Sequence, residues 1–338
     1  MPIADILESR KFSPEPFHNR LVQTIAGFAP QHIEKKKHIV TEREVVEVAQ
    51  DAEIALDYSL HEQPEKHPTV VVVPGFTGSG RSPFSVGMAN KAIHSGFNAV
   101  RVGLRGANDT YSSKTLSHAG LSEDVHRVLK EINNKGLTRK IYIAATSFGG
   151  NMVLKAVGEM GQEAQEKVGG VGLVSSVVDS KNSWQIIHKY KFYEWLVLTE
   201  LKNAVKRQAR VNPENWNTSF LKHIKTIEEW DERYQVGYEP IRWGFQSKEE
   251  YYEKASALPY VSKIAVPTFV IHARDDPMVS FLPLTREQFV DNPNIITVLT
   301  PYGGHGGFVN FRRTGKDLDR HWAENRVIEF FGLLQRST

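Results

Sequence analysis

Runs of β-branched residues recur along this chain at spacings that leave room for a helix between them. Thr69-Val70-Val71-Val72-Val73 is unbroken and ends at Pro74-Gly75, as does a strand buried on both faces of a parallel sheet. Ala99-Val100-Arg101-Val102, Ile141-Tyr142-Ile143-Ala144, Val171-Gly172-Leu173-Val174, Phe269-Val270-Ile271-His272 and Ile295-Ile296-Thr297-Val298 repeat the pattern. Ahead of them, Glu44–Val48 and Glu53–Tyr58 alternate, or nearly so, with the period of half-buried strands. Helical segments such as Glu123–Asn133 and Met152–Met160 fall between most of the strands. Strands alternating with helices predict a mostly parallel sheet with right-handed crossovers and helices on both faces. No internal repeat or low-complexity tract interrupts it.

Two stretches depart from the rhythm. Residues 1–40 read as an arm carrying Pro14, Pro16 and Pro30, with one short apolar turn at Leu21–Ile25. Between the strands near Val174 and Pro267 lie roughly 90 residues, far more than a connection plus one helix. They are rich in aromatics, among them Trp184, Tyr193, Trp195, Trp230, Tyr238, Tyr251 and Tyr252. An insertion there sits at the carboxyl ends of the strands and covers the crevice. The organisation expected is an arm over 1–40, a core from 41–178 and 259–338, and a helical cap over 179–258. Within the cap, Phe192–Arg210 reads as a helix with a broad apolar face. Tyr193, Trp195 and Leu196 are its candidate pocket residues, and core packing is the alternative. Its basic end, with Lys202, Lys206, Arg207 and Arg210, suits transient docking on anionic lipid surfaces. Simple solvation of those charges is the competing reading.

Composition narrows the function classes. The 338 residues are 40% hydrophobic and 24% charged, which describes a globular protein with ample core. A net charge of +3 without an arginine stripe gives nucleic-acid binding no support, and Lys35-Lys36-Lys37 reads as a solvated turn. The absence of cysteine removes disulfides, thiolate catalysis and cysteine-based metal sites. No signal-peptide pattern and no membrane-length apolar run is present, so a cytoplasmic enzyme is expected.

Four short stretches carry the candidate chemistry. They are Pro74-Gly75-Phe76, Ala145-Thr146-Ser147-Phe148-Gly149, Arg274-Asp275-Asp276-Pro277 and Gly303-Gly304-His305-Gly306. A glycine turn, a serine elbow, an acid and then a histidine is the order of Ser-His-Asp hydrolases built on an α/β sheet. Ser147, on a sharp strand-to-helix turn with small flanks, is the candidate nucleophile. It needs a base within hydrogen-bond reach, and His305 in its glycine-rich loop is the candidate. The imidazole needs an acid to fix its tautomer. Asp276 is preferred, with Asp275 as the alternative. The backbone N–H groups of Phe76 and Phe148 are the candidate oxyanion hole. His272 and His321 read as structural. The chemistry calls for no cofactor and no metal.

With these residues in place, the chain resembles the YheT-like branch of the α/β-hydrolase superfamily. That branch is related to eukaryotic abhydrolase-domain lipid hydrolases and yeast medium-chain acyl-ester enzymes. The matching stretches run almost end to end: Gln23-Thr24-Ile25, Arg81-Ser82-Pro83, Leu104-Arg105-Gly106, His118–Asp124, Ser147–Asn151, Trp230–Tyr234, Tyr251-Tyr252, Asp275-Asp276-Pro277 and Gly304-His305. The resemblance implies a carboxylic-ester hydrolase with the triad Ser147, Asp276 and His305. Three positions depart from the family pattern. Leu21 stands where a histidine is usual, Pro74 replaces another histidine, and Ala145 replaces a glycine. The membrane anchor of some eukaryotic relatives has no counterpart, so membrane residence does not carry over.

The reading is an esterase acting on uncharged short- or medium-chain or lipid-derived acyl esters through an acyl-enzyme. Acyl transfer to an alcohol uses the same intermediate and stays open. A non-catalytic binding protein of the same fold is the third reading. Dehalogenases and epoxide hydrolases with an aspartate nucleophile are disfavoured by the serine at the elbow. The sequence sets neither acyl length, head group nor oligomeric state.

Overall fold

A computed structural model describes residues 2–337 except 30–38, 51, 108–109, 111–112, 138–139, 215 and 238–242. Pro30, Lys35–Lys37 and Tyr238 lie outside the described residues. The strands are β1 (Val40–Ala49), β2 (Ala52–Leu60), β3 (Thr69–Val73), β4 (Asn98–Gly103), β5 (Ile141–Thr146), β6 (Val168–Val174), β7 (Thr268–Ala273) and β8 (Ile295–Thr300). They form one eight-stranded sheet in the order β1-β2-β4-β3-β5-β6-β7-β8. β1 and β2 make an antiparallel hairpin, and β2 runs antiparallel to β4. From β4 onward every pairing is parallel.

The two-residue period of a strand divides the core. Along β3, Val71 and Val73 join one apolar cluster while Val70 and Val72 join the other. On the first face pack α4 (Ser122–Asn134) and α5 (Ser147–Met160), through Val125, Val128, Met152 and Val153. On the second pack α3 (Pro83–His94) and the final helix Trp322–Arg336, through Met88, Ala92, Val327 and Phe331. The expected α/β sheet with helices on both faces is what the chain forms.

The N-terminal stretch is more structured than its prolines suggest. It holds α1 (Ile3–Glu8), whose Leu7 is buried in the second cluster, and α2 (Arg20–Gly27). α2 includes the short apolar turn of the sequence, yet its orientation is inverted. Leu21, Val22 and Ile25 face out, while the polar Gln23 and Thr24 are buried. Propensity alone would bury the apolar set; long-range hydrogen bonds to the histidine loop decide otherwise.

A helical insertion separates β6 from β7 and so precedes the acid-bearing strand. The short α6 (Ala164–Lys167) precedes β6, and the insertion contains α7 (Ser180–Ile187), α8 (Lys191–Val211), α9 (Ile227–Trp230) and α10 (Lys248–Ala255). A capping box between Thr226 and Glu229 starts α9, which runs straight into a π-helical turn, Asp231–Val236. The insertion has its own core of Leu198, Leu201, Val205, Trp216, Trp230 and Tyr234. The Trp230 and Tyr234 rings stack at 4.7 Å. Two further helices, α11 (Glu287–Val290) and α12 (Trp322–Arg336), follow β7 and β8 respectively.

Candidate active site

β5 ends at Thr146 and α5 begins at Ser147, so the turn between them contains no spare residue. Ser147 absorbs the change of direction with φ of +52°. A non-glycine residue in the left-handed region costs on the order of 1–3 kcal/mol, and persists only when its surroundings over-determine it. Here they do. The Ser147 carbonyl accepts from the Val177 N–H at 3.0 Å, and the Thr146 hydroxyl donates to the Val174 carbonyl at 2.9 Å. The helix passes so close to β3 that a Cβ at Gly149 would stand 2.2 Å from the Pro74 carbonyl oxygen. That proximity explains the small residues of the elbow.

The loop after β8 brings His305 back over this turn. Its Nε2 lies 2.9 Å from Ser147 Oγ, and its Nδ1 lies 2.9 Å from Asp276 Oδ2. An ionised carboxylate only accepts, so Nδ1 carries the hydrogen and Nε2 is left to accept the serine proton. Asp276 is buried just past β7, and its Oδ1 accepts the N–H groups of Met278 at 2.8 Å and Val279 at 3.0 Å. Burial pushes this carboxyl up, but His305, His272 and the Met278 N–H outweigh it and hold it below its ordinary value. Asp275 faces elsewhere. Its Oδ1 accepts the Gly304 N–H at 2.9 Å and so pins the loop rather than the imidazole.

Several supporting residues escaped the sequence. His272, read as merely ending a strand, is fully buried beneath the acid. Its Nε2 donates to the Val279 carbonyl at 3.1 Å and sits 3.6 Å from Asp276 Oδ2. Burial lowers its pKa, with Asp276 and the Val279 carbonyl opposing the fall. Its i,i+4 spacing from Asp276 was the available signal. Thr24 of α2 accepts the His305 N–H at 3.0 Å through Oγ1. Gln23 bonds the Phe17 and Val309 carbonyls and the Val309 N–H, at 2.7, 3.0 and 2.7 Å. The fit is close: a Cβ at Gly307 would meet the Gln23 carbonyl oxygen at 2.2 Å. Nothing in the local pattern of residues 1–40 reveals that this helix holds a loop some 280 residues away. Asn151, one turn into α5, is fully buried and bonds the Ala119 and Ala255 carbonyls and the Ala257 N–H, joining elbow to cap. Arg105 and Asp124, from two stretches that carried the family resemblance, form a buried bidentate pair at 2.8 and 2.5 Å.

The loop after β3 lies beside the serine. A Cβ at Gly75 would stand 3.8 Å from Ser147 Oγ, and the Phe76 ring meets Phe148 edge-on at 4.9 Å. The Phe148 N–H, in the first turn of α5, has no partner within the helix. A cavity of about 150 Å³ opens from Ser147 under the cap. Phe76, Phe148, Trp184, Ile187, Val197 and Leu201 supply much of its wall. The three pocket candidates of α8 do not line it. Trp195 and Leu196 point outward, with Trp195 60% exposed and stacked on Phe192. Tyr193 is buried away from the cavity wall, within electrostatic reach of Arg20, Asp275 and Asp276. The reason is helical phase: α8 turns Leu198, Leu201 and Val205 inward, and Val197 with Leu201 reaches the cavity. A larger cleft, about 1110 Å³, lies between the N-terminal residues and α12 and touches none of the candidate catalytic residues. Among the described residues no group of three or more histidines and carboxylates is arranged to hold a metal, and no helix is long and apolar enough to cross a membrane.

Comparison with known proteins agrees with this architecture. The sequence model of the α/β-hydrolase fold matches residues 68–310. A phospholipase of Homo sapiens, ABHD3, is 22% identical over 82% of this chain and 69% of its own length. The putative esterase YheT of Escherichia coli is 24% identical, covering 79% of this chain and 77% of its own. A medium-chain fatty acid ethyl ester synthase/esterase of Saccharomyces cerevisiae is 28% identical over 78% of this chain and 62% of its own length. Among solved structures, an esterase of Pyrococcus furiosus superposes with a TM-score of 0.53 over 82% of this chain and 90% of its own, at 14% identity, a likeness of fold alone. With its sheet, its elbow and a match spanning most of its length, the chain belongs to the α/β-hydrolase fold family.

Proposed function

We propose that this protein hydrolyses carboxylic esters through an acyl-enzyme on Ser147. The observation that carries the reading is the unbroken chain from Ser147 Oγ through His305 to Asp276, with both contacts at 2.9 Å. Ester hydrolysis is also what the names of the relatives describe: an esterase, a phospholipase and an ester synthase/esterase.

The steps follow from the geometry. Ser147 Oγ attacks the ester carbonyl carbon while His305 Nε2 takes its proton. Asp276, held ionised, stabilises the imidazolium without taking the proton itself. The N–H groups of Phe76 and Phe148 stabilise the oxyanion, which develops beside the first turn of α5. The C–O bond to the alcohol breaks as His305 returns the proton to the leaving oxygen. Water then attacks the acyl-enzyme, giving its proton to His305, and Ser147 is released with its own proton restored. A cavity of about 150 Å³ matches one that holds a benzene ring, which suits a short acyl group.

In this reading the core spans 41–178 and 259–338, the cap 179–258 forms the pocket roof, and the arm 1–40 braces the histidine loop. Transfer of the acyl group to an alcohol is the second reading, favoured by the yeast relative named a synthase/esterase; product analysis with added ethanol separates the two. Transient contact with anionic lipid surfaces belongs to the same proposal, through the basic end of α8 at Lys202, Lys206, Arg207 and Arg210, and vesicle co-sedimentation tests it. Cytoplasmic residence is tested by cell fractionation.

Ser147→Ala removes the nucleophile and leaves a small residue that the elbow accommodates. Turnover of ethyl butyrate and labelling by a fluorophosphonate probe are both expected to vanish, with kcat falling on the order of 10⁴- to 10⁶-fold. Near-wild-type hydrolysis by a folded Ser147→Ala protein overturns the assignment.

A further inference from the structure

The cavity wall is mostly apolar, with Ser147, Ser180 and Ser183 on one part of it and the π-helical turn Asp231–Val236 on another. Asp231 and Gln235, four residues apart on that turn, both line the cavity and are 8% and 3% exposed. Gln235 Oε1 is buried with no hydrogen-bond partner among the described residues. Asp231 Oδ2 accepts one hydrogen bond, from the Tyr252 hydroxyl at 3.0 Å. A carboxyl group offers roughly four acceptor positions, so most of its capacity is unused by the fold.

Such groups are costly where they stand. A polar atom taken out of water without a partner destabilises the native state, and an apolar side chain of the same shape would fit the wall better. π-helical turns inside or beside α-helices are themselves uncommon and gather at functional sites. Among the described residues no lysine or arginine pairs with Asp231. Burial pushes its carboxyl up to about 7, the Tyr252 hydroxyl opposing the rise and Glu228 adding to it. The turn supplies unused acceptors, while Ser180 Oγ and Trp184 Nε1 in the same wall are buried without a partner among the described residues and can donate.

From the cavity, the two buried side chains and the unused acceptors, we propose that Asp231 and Gln235 form a specificity subsite for a hydrogen-bond donor on the substrate, so that the preferred ester carries a hydroxyl group. The proposal rests on Ser147 being the reacting centre of this cavity. A hydroxyl has one hydrogen to share between the two neighbouring acceptors and remains small enough for the space. Polar recognition of this kind discriminates steeply, because a ligand lacking the hydroxyl leaves the buried groups unpaired; an apolar wall cannot do the same. The donor could sit on the acyl or the alcohol portion, and isosteric ester pairs distinguish the two.

The test compares ethyl 3-hydroxybutyrate with ethyl 3-methylbutyrate, and 2-hydroxyethyl butyrate with propyl butyrate. Binding is measured by calorimetry on the full-length Ser147→Ala protein, and turnover on the wild type. In one of the two pairs the hydroxylated ester is expected to bind about tenfold more tightly, with a matching preference in kcat/KM. Asp231→Leu and, separately, Gln235→Met should erase that preference while the turnover of ethyl butyrate persists. If Asp231→Leu does not fold, Gln235→Met alone carries the comparison. Equal or tighter binding of the ester without the hydroxyl in both pairs overturns the subsite, as does a hydroxyl preference that survives the substitutions. A hydroxyl preference in binding without any wild-type turnover leaves the subsite standing and overturns the proposed hydrolase function instead.

Discussion

Thr24→Val tests whether the N-terminal helix sets the position of His305, the proposed base. The substitution keeps the volume of the side chain and removes its hydroxyl. Thr24 is 3% exposed, and its Oγ1 is the acceptor for the backbone N–H of His305 at 3.0 Å. Valine leaves that buried N–H unpaired, which costs about 1–3 kcal/mol. The loop can relieve the cost only by shifting. A Cβ at Gly304 would already lie 2.5 Å from both the Arg20 carbonyl oxygen and Thr24 Oγ1, so the loop cannot move closer to α2 and must move away. Displacement of a catalytic group by about 1 Å costs roughly 10²-fold in rate. The expected result is a kcat lower by about 10- to 100-fold with KM little changed, together with an unfolding free energy reduced by about 1–3 kcal/mol in urea titrations. Thr24→Ser, which keeps the hydroxyl, should restore most of kcat. Rates are measured well below the unfolding transition, so that loss of folded protein cannot imitate loss of positioning. A Thr24→Val enzyme that is less stable but has unchanged kcat per folded molecule would falsify the positioning role.

Two further outcomes follow from the site. Asp276→Asn should lower kcat by about 10⁴-fold, because an amide can hold the imidazole in the wrong tautomer, whereas Asp275→Asn disturbs only the bond to the Gly304 N–H and should cost far less; a reversed order in ester kinetics would assign the acid to Asp275. Val197→Phe fills the cavity beside Ser147 and should penalise longer acyl chains, at about 0.8 kcal/mol for each methylene that loses its place, while Trp195→Ala leaves the chain-length profile unchanged; a steeper profile in the Trp195 variant would return that residue to the pocket.

Much of this protein was legible in one dimension. Unbroken apolar runs such as Thr69–Val73 can be satisfied only in strands covered on both faces, so the sheet and its mostly parallel character follow from composition along short windows. The elbow was legible for a similar reason: a strand running directly into a helix demands small residues, and Ala145, Gly149 and Gly150 announce them. The order serine, acid, histidine then named Ser147, Asp276 and His305. Side-chain direction was not legible. The face of α8 that turns inward depends on where the cap docks, and a rotation of 100° per residue puts Trp195 outside while Val197 reaches the cavity. The inverted burial of α2 shows the same limit more sharply. Its polar Gln23 and Thr24 lie inward only because the backbone of a loop far along the chain offers them partners. Local periodicity reports what a segment would do facing a generic core. Which long-range partner it meets, and hence that an N-terminal helix holds the histidine loop and a π-helical turn brings Asp231 into the cavity, was decided by tertiary structure alone.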